Sequence, residues 1–153
     1  MTVKPLKRVC TPYLHYHLEQ TETFVLVQGR LGYLLGDEKN SCDVRSCPST
    51  IIIAPWTTHT FWMDDNFEDL VIDVRVEPIF QDRGLTAELF ENIAGVRRDK
   101  YMSIWQMFLF MDRIDSYPNS IPFTLFKILT KSGAIIAKIL GYRSEYDEYT
   151  TRS

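Results

Sequence analysis

The sequence lacks three features that each mark a particular class of protein. Its 153 residues carry a net charge of −3, so there is no excess of Lys and Arg for binding nucleic acid. There is no C-x-x-C pair, which argues against the common structural zinc and redox motifs. Three lysines interrupt the longest apolar stretch, residues 121–140. We therefore predict no nucleic-acid partner and no membrane span.

The amino-terminal residues also lack the apolar core of a secretion signal, which predicts a cytoplasmic protein. In that compartment we expect Cys10, Cys42 and Cys47 to be reduced thiols. The alternative is a surface disulfide between Cys42 and Cys47.

Residues 12–76 have the pattern of β-strands, with alternating or short apolar runs between turn residues such as Gly29, the segment 36–40 and Pro55. Because no helix separates the strands, the pattern favours an antiparallel sandwich or barrel over a parallel sheet. The predicted strands are 13–17, 22–28, 31–35, 49–53, 59–63 and 70–76.

After Pro78 the apolar period becomes helical. A first helix is predicted to end at Gly95, and amphipathic stretches at 104–114 and 121–140 predict two more. The polar tail after residue 144 is expected to be loosely held. The chain thus divides into a β-barrel, residues 1–78, and a C-terminal helical extension, residues 79–153, within one structural unit.

The last predicted helix gathers Lys127, Lys131 and Lys138 on one side and leaves a wide apolar face. We expect that face to pack on the barrel or on a partner subunit. The alternative is a basic amphipathic helix that contacts a membrane surface.

All three histidines lie in the strand-rich part. His15 and His17 are two positions apart, so they project from the same face of a strand. Glu22 has the opposite parity and shares that face only if the chain turns or bulges between residues 18 and 21. A barrel would bring His59 across its interior. Such a set suits a metal ion, whereas a bare H-x-H also occurs as strand histidines satisfied by polar neighbours.

Two segments resemble the signature motifs of the cupin superfamily. The spacing H-x-H-x4-E-x6-G, which begins at His15 and ends at Gly29, resembles the first motif. The segment 54–61, with Pro55, His59 and Phe61, resembles the second. The resemblance implies a mainly β fold, a cupin-like antiparallel barrel of jelly-roll type followed by the helical extension. It also implies one divalent metal ion (iron, manganese, zinc or nickel) held by His15, His17, Glu22 and His59.

This chain departs from the cupin motifs at Val9 and Trp56, which stand where glycines are usual, and at Met63, which replaces a closing asparagine. Only fourteen residues precede His15, whereas cupin barrels usually begin with earlier strands. We therefore expect an edge that is open or covered by another subunit, and we predict a homodimer.

The segments 89–95, 140–143 and 145–149 are similar to the helical tail of small single-domain cupins of bacteria and fungi, some of which belong to secondary metabolism. Strand parity adds an aromatic and apolar lining, which suits a hydrophobic, oxygen-bearing substrate such as a polyketide-like or aromatic molecule. The alternative for these side chains is plain barrel core. The predicted substrate-binding residues are Phe24, Leu26, Phe61, Met63 and Trp56.

Two mechanisms fit the predicted site, and we favour the first because nothing beyond the metal site indicates the handling of oxygen. In the first, the ion acts as a Lewis acid in an isomerisation, cyclisation or dehydration. Glu22 would serve as general base with a raised pKa, and Tyr13 or Tyr33 would donate a proton. In the second, the protein is a dioxygenase, in which a redox-active iron or manganese ion binds both the substrate and dioxygen. A further alternative is a non-catalytic protein that binds a small molecule or a partner.

Overall fold

The computed structural model describes residues 2–3, 11–48, 50–64, 69–80, 83–99 and 102–150. These residues form two compact units. The first comprises residues 1–78 and 117–120, and the second comprises residues 79–116 and 121–153. The chain therefore returns to the strand-rich unit after two helices, a return that the predicted boundary at residue 78 did not include. Val9 and Cys10 lie outside the described residues.

The first unit consists of two antiparallel sheets. Its strands are β1 (Thr2–Val3), β2 (His15–Tyr16), β3 (Thr21–Gln28), β4 (Arg30–Leu35), β5 (Glu38–Asp43), β6 (Ile51–Ile53), β7 (His59–Met63), β8 (Val71–Glu77) and β9 (Tyr117–Pro118). The four-stranded sheet has the order β1-β8-β3-β6, and the five-stranded sheet has the order β5-β4-β7-β2-β9. The expected antiparallel, cupin-like β architecture followed by helices is confirmed.

Apolar side chains from both sheets form the core of this unit. Phe24, Ile53 and Ile72 come from the four-stranded sheet, and Leu31 and Cys42 come from the five-stranded sheet. Each of these positions lies on the inward face of its strand, as the period of two requires. The burial of these side chains between the two sheets therefore determines which face of each strand points inward.

The first three residues of strand β5 were predicted to belong to the turn at residues 36–40, and this prediction is wrong. The sequence of β5, EKNSCD, is almost entirely polar because it lies at an edge of the five-stranded sheet and buries only Cys42. A polar edge strand also protects a sheet from pairing with other chains. The structure joins Cys42 and Cys47 in a disulfide, so the expectation of reduced thiols is wrong for this pair.

The edge at β2 is not open among the described residues. Strand β9 pairs with β2, with Tyr117 opposite Tyr16, while β1 pairs with β8 in the other sheet. The edge that prompted the homodimer prediction is therefore covered by the same chain. The homodimer itself stays a prediction.

The second unit contains three helices, α1 (Ala87–Asp99), α2 (Ile104–Arg113) and α3 (Phe123–Ile139), within the part of the chain that the structure describes. Helix α1 does not end at Gly95. Gly95 lies inside the helix, and the ring of Tyr149 occupies the space that a side chain at this position would need. A Cβ atom added to Gly95 would lie only 2.3 Å from Cγ of that ring. A glycine at this position therefore serves close packing and does not end the helix.

The tail after α3 is not loosely held. The backbone N–H of Tyr146 donates to Oδ1 of Asn92 at 2.7 Å, and its hydroxyl donates to Oε1 of Gln106 at 2.7 Å. Both partners are buried, so each hydrogen bond satisfies a polar group that would otherwise be costly. Among the described residues, none of the three helices has the length and apolar character that crossing a bilayer requires.

Candidate metal centre

The two sheets bring four donor side chains to one place. His15 lies in β2, His17 follows it directly, His59 begins β7, and Glu22 lies in β3 of the facing sheet. One ligand atom from each lies within 4.8 Å of the others. All four side chains are buried, and His17 and His59 are each only 1% exposed.

Backbone register explains why two of the imidazoles meet. Strands β2 and β7 are antiparallel neighbours, and His15 is directly opposite His59. Side chains at opposed positions point to the same face of a sheet. Their ring centroids are 4.3 Å apart, and His17 lies 5.2 Å from His59 on that face.

Glu22 reaches the histidines by a route that parity alone did not show. The chain bends at Leu18 and Glu19 and passes from the five-stranded sheet to the four-stranded one, so Glu22 faces the histidines from across the interior. Buried Gln20 fixes this crossing by donating from Nε2 to the carbonyl oxygen of Pro78 at 2.9 Å. The expected turn between residues 18 and 21 is present as a change of sheet.

Backbone carbonyls orient two of the imidazoles. Nδ1 of His15 is 2.7 Å from the carbonyl oxygen of Tyr13, and Nδ1 of His59 is 2.9 Å from that of Thr57. When Nδ1–H donates to a carbonyl, Nε2 is left available as the ligand. Sequence reasoning missed these carbonyls, although each lies two residues before its histidine.

The carboxylate of Glu22 lies among the imidazoles. Its Oε2 is 2.9 Å from Nε2 of His59 and 3.6 Å from Nε2 of His17. Burial alone would raise the pKa of this carboxyl, but the facing imidazoles of His17 and His59 outweigh burial and lower the pKa to about 2. The expectation of a raised pKa at Glu22 is therefore wrong, and the group is an anion at neutral pH.

Burial lowers the pKa of His15 to about 4, and repulsion from His59 and His17 adds to this shift. The imidazole is therefore neutral at pH 7, which is the form that binds a metal.

The donor set fits a divalent ion. Three imidazole nitrogens and one carboxylate oxygen suit zinc, iron, nickel or manganese. Ligands about 2.1 Å from one ion lie up to about 4.2 Å apart, so a spread of at most 4.8 Å closes around an ion with small side-chain shifts.

The other predicted site residues lie at varied distances from this cluster. The ring of Tyr13 meets that of His15 edge-on, with centroids 5.4 Å apart, and Tyr13 is 40% exposed. Tyr33 in β4 is opposite Phe61 in β7, and Phe61 is the next residue after His59 on the same face of β7. The rings of Tyr33 and Phe61 both pack against the apolar core. Phe24 and Leu26 follow Glu22 on the same face of β3, Phe24 within the core and Leu26 against it.

Trp56 and Met63 are not brought into the cluster. Trp56 is 67% exposed and stacks on Tyr16, which projects from the opposite face of β2 to His15. Met63 is at the far end of β7 from His59 and is partly exposed. Trp56 also has a positive φ of 67°, a left-handed backbone conformation that glycine adopts more readily than other residues.

The fold and these four side chains define a cupin-like protein with a buried cluster of three histidines and one glutamate. The chain is 30% identical, over 154 aligned residues, to the probable oxidoreductase virH of Hypocrea virens, a match that covers 90% of this chain and 67% of that protein. The chain belongs to the same family as that protein. No protein-family model matches it.

Similar solved structures include two enzymes that act on sugars. The QdtA 3,4-ketoisomerase of Thermoanaerobacterium thermosaccharolyticum, in complex with TDP, is 18% identical with a TM-score of 0.41, and the match covers 53% of this chain and 59% of that one. The dTDP-4-dehydrorhamnose 3,5-epimerase of Sulfolobus tokodaii is 18% identical with a TM-score of 0.39, and the match covers 52% of each chain.

Proposed function

We propose that the chain is a metal-dependent enzyme whose ion is held by His15, His17, Glu22 and His59 and whose substrate is a small, oxygen-bearing molecule. The observation that carries this proposal is the convergence of four buried donor atoms within 4.8 Å. Burying four polar side chains is costly unless they bind something or one another. Three imidazoles and a carboxylate leave about two positions of a six-coordinate ion for other ligands.

The residues around the ion have separate tasks. The carbonyls behind His15 and His59 hold the ring orientation, and the anionic Glu22 offsets part of the charge of a divalent ion. Phe24, which follows Glu22 on the same face, makes this side of the site apolar. An apolar wall beside few polar groups favours a hydrophobic substrate, such as a polyketide-like or aromatic metabolite.

The sequence alone favours Lewis-acid chemistry, but we now place an oxidation or oxygenation with iron or manganese first, because the relative with 30% identity is named a probable oxidoreductase. A bound ion would supply electron transfer to dioxygen in this case, or polarisation of a substrate oxygen in a non-redox reaction. Glu22 does not fit the role of general base, since its pKa is about 2.

A Lewis-acid isomerisation, cyclisation or dehydration is the second candidate, and the position of Tyr13 favours it. The phenol ring meets the ring of His15 with centroids 5.4 Å apart and is partly exposed, so a side chain that can donate a proton lies next to one of the four donors. Tyr33 lies further along the sheet and is the weaker choice.

Metal analysis is the first test. Protein purified without added metal should contain one equivalent of a divalent ion, and Glu22→Gln should lose it. The matched control is Glu38→Gln, which makes the same change at an exposed position of β5 in the same unit. Absence of bound metal in the wild type after iron, manganese, zinc and nickel have each been added would show that the site is not a metal centre. Stoichiometric metal in Glu22→Gln would show that the three imidazoles hold the ion without this carboxylate.

Turnover of phenol and 1,3-diketone substrates with and without dioxygen separates the two reactions. Loss of turnover under anaerobic conditions supports the oxidoreductase. Unchanged anaerobic turnover that falls in Tyr13→Phe supports the Lewis-acid reaction. Stoichiometric metal without turnover of any substrate points to a binding protein.

A further inference from the structure

Helix α3 presents a broad apolar face to solvent. Its opposite side packs against α2 and buries Phe126, Ala134 and Ala137. The exposed face carries six Ile and Leu side chains that are between 42% and 79% exposed, namely Leu125, Ile128, Leu129, Ile135, Ile136 and Ile139. Scattered exposed apolar residues are ordinary, but a continuous patch of this kind marks an interaction surface.

The spacing of this face matches a helix that pairs with another helix. Leu125, Ile128, Ser132, Ile135 and Ile139 are separated by three, four, three and four residues, the a and d pattern of a heptad repeat. We call these five residues the α3 seam. Leu129 and Ile136 fall at the neighbouring e positions and widen the apolar surface.

The exposed area is sufficient for a pair of chains. The six apolar side chains expose on the order of 500 Å² per copy, so two copies would bury on the order of 1,000 Å², the lower limit for a specific interface. An isologous contact of this kind is the usual basis of a two-fold dimer.

Charge indicates the direction of pairing. Lys131 and Lys138 occupy g positions, and α3 contains no acidic residue. In an antiparallel pair g positions face each other, so lysines would meet lysines. In a parallel pair they face the e positions, where the alkyl stems of lysine can cover Leu129 and Ile136 while the ammonium groups stay in water.

We propose that a second copy of this chain covers the exposed face of α3, the two helices pairing in parallel along the α3 seam. This dimer does not depend on the metal centre or on the proposed reaction. It uses a different surface from the sheet edge that first suggested an oligomer.

Sedimentation equilibrium of the full chain tests the proposal with two opposed variants. Ile135→Glu places charge in the middle of the seam and should weaken dimerisation at least about 100-fold, as expected for a central interface residue. Ser132→Leu replaces the polar a position and should tighten the dimer, a gain that misfolding cannot mimic. The matched control is Ile52→Glu, on the exposed side of edge strand β6, which should leave the dimer unchanged.

Orientation is tested with Leu125→Cys under mild oxidation. A parallel pair brings the two new thiols together at one end of the seam and yields a covalent dimer that the wild type does not form. A dimer in solution that fails to cross-link in this way would refute the parallel arrangement.

A wild-type monomer at concentrations on the order of 100 µM would overturn the proposal. So would equal loss of the dimer in Ile135→Glu and Ile52→Glu. If the monomer instead floats with phosphatidylserine vesicles and Ile135→Glu does not, the face binds a lipid surface and the dimer is wrong. If the monomer is stable and Ile135→Glu lowers its melting temperature, the face packs within the chain, and the proposal fails.

Discussion

Metal-free protein should become less stable between pH 7 and pH 4 because of His15. The pKa of this imidazole is about 4 in the folded protein, mainly through burial, against 6.5 in the unfolded chain. Below pH 6.5 the unfolded chain therefore takes up a proton that the folded site resists. The stability that neutral His15 contributes is complete above pH 6.5 and is lost as the pH falls through about 4.

The size of this effect follows from the two pKa values. A tenfold change in a protonation constant corresponds to about 1.4 kcal/mol, so lowering the pKa of His15 from 6.5 to about 4 contributes roughly 3 kcal/mol to the free energy of unfolding. This is a large part of the stability of a small domain, about 5–15 kcal/mol. Glu22 does not contribute to the change above pH 4.5, because its lowered pKa affects stability only below that value.

Urea denaturation in the presence of EDTA, from pH 7 to pH 4, measures this contribution. His15→Asn is the informative variant, since an asparagine amide can still donate to the carbonyl oxygen of Tyr13 but does not titrate. The wild type should lose about 3 kcal/mol more than His15→Asn over this range. Superimposable pH profiles for the two proteins would refute the reasoning.

Three further outcomes are expected. In competition with a chelator, Glu22→Gln should bind its ion at least about 100-fold more weakly than Glu38→Gln, since changes even in the groups that support metal ligands cost 10–100-fold. An ion at 100 times its Kd should raise the free energy of unfolding of the wild type by about 2.7 kcal/mol, but not that of His59→Ala. Gly95→Ala would stabilise an ordinary helix by about 1 kcal/mol, but here it should destabilise the protein by about 1–3 kcal/mol because the new Cβ meets the ring of Tyr149. In the Tyr149→Ala background the same substitution should become stabilising.

The strands that bury one face could be predicted because burial imposes a period of two. Strand β3 was predicted almost to its ends, since Glu22, Phe24 and Leu26 alternate with outward residues. Strand β5 could not be predicted in this way, because an edge strand that buries only Cys42 has no alternation to detect. Strand β9 is two residues long and follows two helices, so its pairing with β2 depends on contacts far apart in sequence.

The four candidate ligands could be identified from their spacing in the sequence, but the way in which the fold brings them together could not. Parity placed Glu22 on the opposite face from His15, and only the change of sheet after His17 reverses that relation. The pKa of Glu22 was predicted in the wrong direction for a similar reason. Burial was foreseeable from the apolar neighbours, whereas two imidazoles facing one carboxylate follow from the assembled site.

Local signals were also misread where tertiary packing reversed them. Glycine often ends a helix, yet Gly95 lies within α1. A glycine is needed there because the ring of Tyr149, more than fifty residues later in the sequence, occupies the space of a side chain. The polar composition of the tail suggested weak attachment. It is held instead by the buried polar groups of Asn92 and Gln106, whose hydrogen bonds cannot be read from their own segments.

The distribution of the ligands between the two sheets has a physical consequence for a bound ion. His15, His17 and His59 belong to the five-stranded sheet and its β2–β3 connection, and Glu22 belongs to the four-stranded sheet. An ion at this point would therefore join the two sheets at one end of the core that otherwise holds them together. Since the unfolded chain does not assemble these four donors, the free energy of metal binding would add to the free energy of folding. The site would then couple metal content to the stability of the whole strand-rich unit.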